Sequence, residues 1–219
     1  MSGLQSDEGV RLEVLRSQVP GLRSKKGDAV KAFLENYRGE LSAVLHTIDL
    51  AKISEFIQIL ERAREEGRGI FVFGNGGSAA TASHLAVDMV KGASYGRPKR
   101  FRIMALTDQV PTITAYANDL GYEVVFEQHL RNFARPGDVV VAISASGNSP
   151  NVLRAVEYAN SIGCTTIGLT GFDGGRLARL AGHALVVPSS HMGRVEDGHM
   201  FVCHLICYYF MESDKADSA

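Results

Sequence analysis

His84 and Asp88 stand four residues apart. On a helix that spacing puts both side chains on one face, about one turn from each other. An imidazole and a carboxylate so arranged can hold a metal ion or pass a proton. Just ahead of them, Gly74-Asn75-Gly76-Gly77-Ser78 interrupts the end of a short apolar run. A strand that ends in a glycine-rich turn and passes straight into a helix gathers backbone N–H groups and the positive end of the helix dipole at one point. An anion such as phosphate can be held there.

A second loop of the same kind follows another apolar run: Ser144-Ala145-Ser146-Gly147-Asn148-Ser149-Pro150, leading into a helix with Asn151 and Val152 in its first turn. Three hydroxyls, a glycine and a proline at a helix start form an anion nest that needs no lysine. One such loop is also what an ordinary capped helix start looks like. Two of them, each after its own strand, favour a phosphorylated small molecule. GNGGS lacks the lysine of a P-loop and does not satisfy GxGxxG with an acidic residue some 20 positions on, which argues against nucleoside triphosphates and dinucleotides. His204 lies in the middle of a strongly apolar stretch, where a buried imidazole needs partners for both nitrogens. His199 reads as a satisfied core histidine. His129, His183 and His191 carry no comparable context, although His191 precedes the last helix and could border a bound ligand.

The elements that must position these groups are legible as an alternating pattern. Short, nearly continuous apolar runs at 69–73, 101–106, 138–143, 165–169 and 184–187 read as strands covered on both faces. Helical stretches fall near 78–91, 109–134 (broken at Gly121), 150–161, 174–180 and 194–211. The expected fold is α/β, a doubly wound, five-stranded parallel sheet of the flavodoxin-like kind, with ligands beyond the carboxyl ends of the strands. Two further amphipathic helices precede it. One spans 28–48, with Val30, Phe33, Leu34, Tyr37, Leu41, Val44 and Leu45; the other spans 49–66, with Ile53, Phe56, Ile57 and Leu60. No βα repeat needs them, so they are available for packing against another subunit. We expect a loose arm over 1–27, with a short helix around 8–17, a single domain over 28–212 and a flexible tail over 213–219.

Bulk composition bounds the function. A net charge of −1, with no basic cluster beyond RPKRFR at 97–102, gives no support for nucleic-acid binding. No run of about 18 apolar residues suggests a membrane span. Three cysteines (Cys164, Cys203 and Cys207) without disulfide-like spacing, and a polar start without an export signal, lead us to expect a cytoplasmic setting. Cys203 and Cys207, at helical spacing, read as buried small hydrophobes.

The motifs GNGGS, His84, LTDQ at 106–109, AND at 117–119, SASGNS, LTGFDGG at 169–175 and RVEDGHMFVCH at 194–204 occur in that order. Together they resemble the sugar-isomerase (SIS) domain family, and within it the phosphoheptose isomerases, which interconvert sedoheptulose 7-phosphate and an aldoheptose 7-phosphate. The resemblance implies a phosphate cradle at Ser144, Ala145, Ser146 and Ser149, with Asn75, Gly76, Gly77, Ser78 and Asp119 around the sugar. It implies a divalent metal, zinc in the family, on His84, Asp88, Glu196 and His204, with Asp88, Glu196 and His204 as the acid/base residues. It also implies a homotetramer with sites near subunit boundaries. Relatives carry glutamate where this chain has Asp88, glutamine where it has Glu196, aspartate at Gly193 and arginine at Gly92. With the shorter Asp88 and the added charge of Glu196, two divisions of labour stay open: Asp88 as base, or Asp88 as metal ligand with Glu196 taking part of the base's work. The donor set would also suit manganese, iron or nickel. The alternatives to a phosphoheptose isomerase are an isomerase of another phosphorylated ketose and a non-catalytic phosphosugar-binding protein that associates with a replication initiator.

Overall fold

The computed structural model describes residues 20–216. The chain divides into two compact units, residues 1–43 and 44–219. In the first unit the described chain is helix α1 (Pro20–His46, continuing into the second unit). Residues 20–27 are therefore helical rather than a loose arm. The helix expected at 8–17 lies outside the described residues. Val30, Phe33 and Leu34 are exposed on α1.

The second unit carries the sheet. Helix α2 (Leu50–Glu65) starts at Asp49, whose Oδ1 accepts the Ala51 and Lys52 N–H groups at 2.9 and 3.3 Å, a side-chain cap for otherwise orphaned donors. Then come β1 (Gly69–Gly74), α3 (Gly77–Val87), β2 (Arg102–Ala105), α4 (Val110–Asp119), α5 (Val125–Phe133), β3 (Val139–Ser144), α6 (Pro150–Ser161), β4 (Thr165–Gly171), α7 (Leu177–Leu180), β5 (His183–Val187) and α8 (Met192–Ala216). All four strand pairings are parallel, in the order β2-β1-β3-β4-β5. The topological switch point thus falls between β1 and β3, the two strands that feed the glycine–serine loops.

The strands read as unbroken apolar runs because alternate side chains enter two separate cores. Ile70 and Val72 of β1 and Val139, Val141 and Ile143 of β3 pack with α2, α3 and α8. Phe71 and Phe73 of β1 and Val140 and Ala142 of β3 pack with α5, α6 and α7. Cys203 and Cys207 are fully buried in the first core, as expected. The thiol of Cys203 is pushed up to about 12, by burial first and by the nearby Asp88 charge second.

Three elements differ from expectation. The helix over 78–91 opens into a π-helical turn at Asp88–Gly92. The helix over 174–180 shrinks to the single turn α7, because Gly174 and Gly175 hold φ of 89° and 55°, outside the right-handed helical region. The last helix runs on to Ala216, so most of the expected tail is helical. The break at Gly121 is where the sequence puts it, at φ 109°. Three of the four basic side chains at 97–102 are engaged within the chain: Arg97 donates to the carbonyls of Gly92, Phe210 and Met211, Lys99 pairs with Glu65, and Arg102 donates to the Gly67 carbonyl.

Candidate active site

The GNGGS turn leaves β1 at Gly74, where an added Cβ would strike the Ile143 carbonyl and Ser78; only glycine lets β1, β3 and the start of α3 approach so closely. Ser78 is buried in the first turn of α3, its N–H donating to the Asn75 carbonyl at 3.0 Å. Gly76 and Gly77 are exposed at the mouth. The second loop turns at Gly147, with φ 63°. The Ser144 and Ser149 hydroxyls lie 3.1 Å apart, and Ser146 Oγ accepts the Asn148 N–H at 3.2 Å. Ser144 and Ala145 are buried, whereas Ser146 is exposed. The LTGFDGG loop backs this one: Gly171 N–H donates to the Ala145 carbonyl at 2.9 Å, and the Arg176 N–H to Asn148 Oδ1 at 3.1 Å.

The two loops are joined directly. Asn75 and Asn151 exchange a reciprocal pair of amide hydrogen bonds, both 2.9 Å, and the Tyr122 hydroxyl lies 2.9 Å from Asn75 Oδ1. Neither Asn151 nor Tyr122 stood out as a site residue in the sequence. The only available signal was the presence of a polar residue at each helix start.

One turn beyond the GNGGS loop, His84 Nε2 is 3.0 Å from His204 Nε2 and 3.2 Å from Asp88 Oδ2. The His84 side chain is 42% exposed and that of Asp88 24%, so the group is reachable from solvent. Ligand atoms of His84, Asp88 and His204 all lie within 4.8 Å of one another. Two imidazoles and a carboxylate are a donor set that could hold a divalent metal ion. Glu196 is not in this group. Its carboxylate rests against Gly77, where an added Cβ would collide with it, so it stands at the amino end of α3 beside the first loop. Asp119 ends α4 on the surface, accepting the Asn118 amide at 2.8 Å; among the described residues neither loop supplies it a partner. His199 is buried with Nε2 3.0 Å from the Thr170 carbonyl, the core role expected of it; burial holds its pKa below the usual histidine value, outweighing the Thr170 hydrogen bond.

The arrangement brings together two glycine–serine loops at the starts of α3 and α6, a three-residue donor cluster one turn beyond the first, and a separate carboxylate against Gly77. A profile of the SIS domain family matches residues 32–171. The phosphoheptose isomerase of Geotalea daltonii is 42% identical over 160 residues, 71% of this chain and 81% of that protein. The probable phosphoheptose isomerase of Thermoplasma acidophilum is 39% identical over 180 residues, 82% of this chain and 96% of its own. Among solved structures, the phosphoheptose isomerase of Neisseria gonorrhoeae superimposes with a TM-score of 0.74 at 31% identity, covering 84% of this chain and 97% of that one. The phosphoheptose isomerase of Francisella tularensis gives 0.77 at 26% identity, covering 85% and 98%.

Proposed function

The chain belongs to the SIS domain family, and on that premise we propose that it is a phosphoheptose isomerase, converting sedoheptulose 7-phosphate to D-glycero-D-manno-heptose 7-phosphate. The observation that carries this reading is the pair of glycine–serine loops latched together across the β1/β3 switch point, with the His84, Asp88 and His204 cluster one turn beyond. Aldose–ketose isomerisation moves a proton between adjacent carbons through an enediolate. It needs a base at the C1–C2 edge, a group that shuttles hydroxyl protons and a stabiliser for the developing oxyanion.

In this scheme Ser144, Ser146, Ser149 and the start of α6 bind the phosphate, while Asn75 and Ser78 orient the sugar. Asp88 is engaged with His84, which supports assigning it to the metal cluster and assigning the base to Glu196, whose carboxylate stands apart at the loop mouth. His204 then transfers the hydroxyl proton. His84, Asp88 and His204 would hold a divalent ion, zinc by their donor types, and such an ion supplies Lewis-acid polarisation of the substrate carbonyl.

The active form we propose is a cytoplasmic homotetramer. Three free thiols suit a reducing compartment, and among the described residues no helix is long and apolar enough to cross a membrane. A mainly apolar cavity of about 650 Å³ between α2 and α8, lined by Ile53, Ile57, Phe201, Leu205 and Tyr208, reaches His204 and is a surface that another copy would cover.

Purified protein incubated with sedoheptulose 7-phosphate should form the aldose, lose activity on chelation and regain it on zinc addition, in a fraction whose light-scattering mass is four chains. No turnover with added metals would overturn the isomerase reading, and a monomeric mass would overturn the assembly.

A further inference from the structure

Asn75 stands at the centre of a hydrogen-bond chain whose direction is set from one end. The backbone N–H of Val152 donates to Asn151 Oδ1 at 3.0 Å. A backbone N–H cannot accept, so that atom must be the amide oxygen. The rest follows in order. Asn151 Nδ2 donates to Asn75 Oδ1 and Asn75 Nδ2 donates to Asn151 Oδ1, both at 2.9 Å. Asn75 Oδ1 is therefore an acceptor, and the Tyr122 hydroxyl 2.9 Å away must be its second donor. Both lone pairs of that oxygen are then used. What Asn75 has left is the second N–H of Nδ2, a donor, and what Tyr122 has left is a pair of acceptor lone pairs.

Burial gives the chain its stiffness. Asn151 is 2% exposed and cannot exchange its partners for water, so its pairing is obligatory. Tyr122 is 52% exposed, yet its backbone is held in a 3₁₀ turn immediately after Gly121. The two asparagines are 76 residues apart in sequence, and their pairing ties the β1 loop to the first turn of α6.

Building on the isomerase reading, we infer that Tyr122 and Asn151 are positioning residues that lock the Asn75 amide with its free N–H as a donor to a sugar oxygen. They also fix the spacing between the sugar loop and the phosphate loop. An Asn75 side chain released from Tyr122 can turn, and part of the binding energy is then spent on reordering it. The sugar oxygen it meets carries no new charge as the proton moves between C1 and C2, so the loss falls on ground state and transition state alike.

The test is a KM-against-kcat split in Tyr122→Phe, which keeps the ring and removes the donor. We expect KM for sedoheptulose 7-phosphate to rise about threefold to tenfold, the scale of one hydrogen bond, with kcat within about twofold. In an Asn75→Ala background the same substitution should leave KM unchanged, because the group it positions is gone. An unchanged KM in the single variant, or an equal rise in both backgrounds, would overturn the inference. If the wild-type chain proves inactive on sugar phosphates, the isomerase reading fails while the latch is judged separately. Hydrogen exchange of the Asn75 side-chain amide, followed by NMR in the full-length protein, should then be slow in wild type and faster in Tyr122→Phe. Equal exchange in the two proteins would refute the latch.

Discussion

The Nε2 atoms of His84 and His204 lie 3.0 Å apart. Asp88 Oδ2 can only accept, and it lies 3.2 Å from His84 Nε2. His84 thus stands between Asp88 and His204, and removing His204 takes away one of the three clustered donors together with the ring assigned to proton transfer. His204→Ala should lower kcat by about 10²-fold or more, the usual scale of a lost acid/base group. Ser146→Ala, at an exposed hydroxyl of the phosphate loop, should raise KM while leaving kcat near wild type. Steady-state kinetics on both variants decides the assignment: near-normal turnover in His204→Ala would remove that residue from the chemistry, and a fall in kcat alone for Ser146→Ala would remove the phosphate from its loop.

Between elements, the contact that matters most is α8 against the start of α3, where the Glu196 carboxylate occupies the space a side chain at 77 would need. The obstructing group is the far end of a flexible side chain, so Gly77→Ala costs little in stability and instead displaces Glu196. A misplacement of this order can cost up to about 10²-fold in rate, so we expect kcat to fall about tenfold or more while the melting temperature stays within about 2 °C. Unchanged turnover would mean that Glu196 takes no part in the reaction. Most elements were readable from sequence because they rest on many residues at once. Five apolar runs gave five strands, and GNGGS and SASGNS gave the two loops after β1 and β3. What escaped rests on single positions: two left-handed glycines that shorten α7, the π-helical turn that begins at Asp88, and Tyr122 and Asn151, which meet Asn75 only once the sheet has brought distant segments together. The separation of Glu196 from His204, by contrast, follows from spacing, since eight residues of one helix rise about 12 Å.

At the scale of the whole molecule, two histidines seated in the interior tie stability to pH. His129 on α5 and His199 on α8 are each 1% exposed. Burial pushes both below the ordinary histidine value of 6.5, outweighing the Val125 carbonyl for His129 and the Thr170 carbonyl for His199. For a base whose folded pKa is depressed, the unfolded chain binds more protons between the two values. Stability therefore rises with pH up to about 6.5 and is lost as pH falls below it. The buried carboxylate of Glu127 behaves differently. Burial alone would raise it, but hydrogen bonds from Arg131 and Arg154 outweigh that and hold it below 4.5, so its contribution is present above that value and lost only as pH falls through the folded one. A comparison between about pH 7.5 and pH 5.5 thus isolates the histidines from this carboxylate. Urea unfolding should show the wild-type chain losing stability over that interval. His129→Leu, which removes one of the two titrating groups from the core, should lose less, whatever its absolute stability. An identical loss in the two proteins would show that His129 is protonated equally in the folded and unfolded states, and that the interior does not hold it neutral.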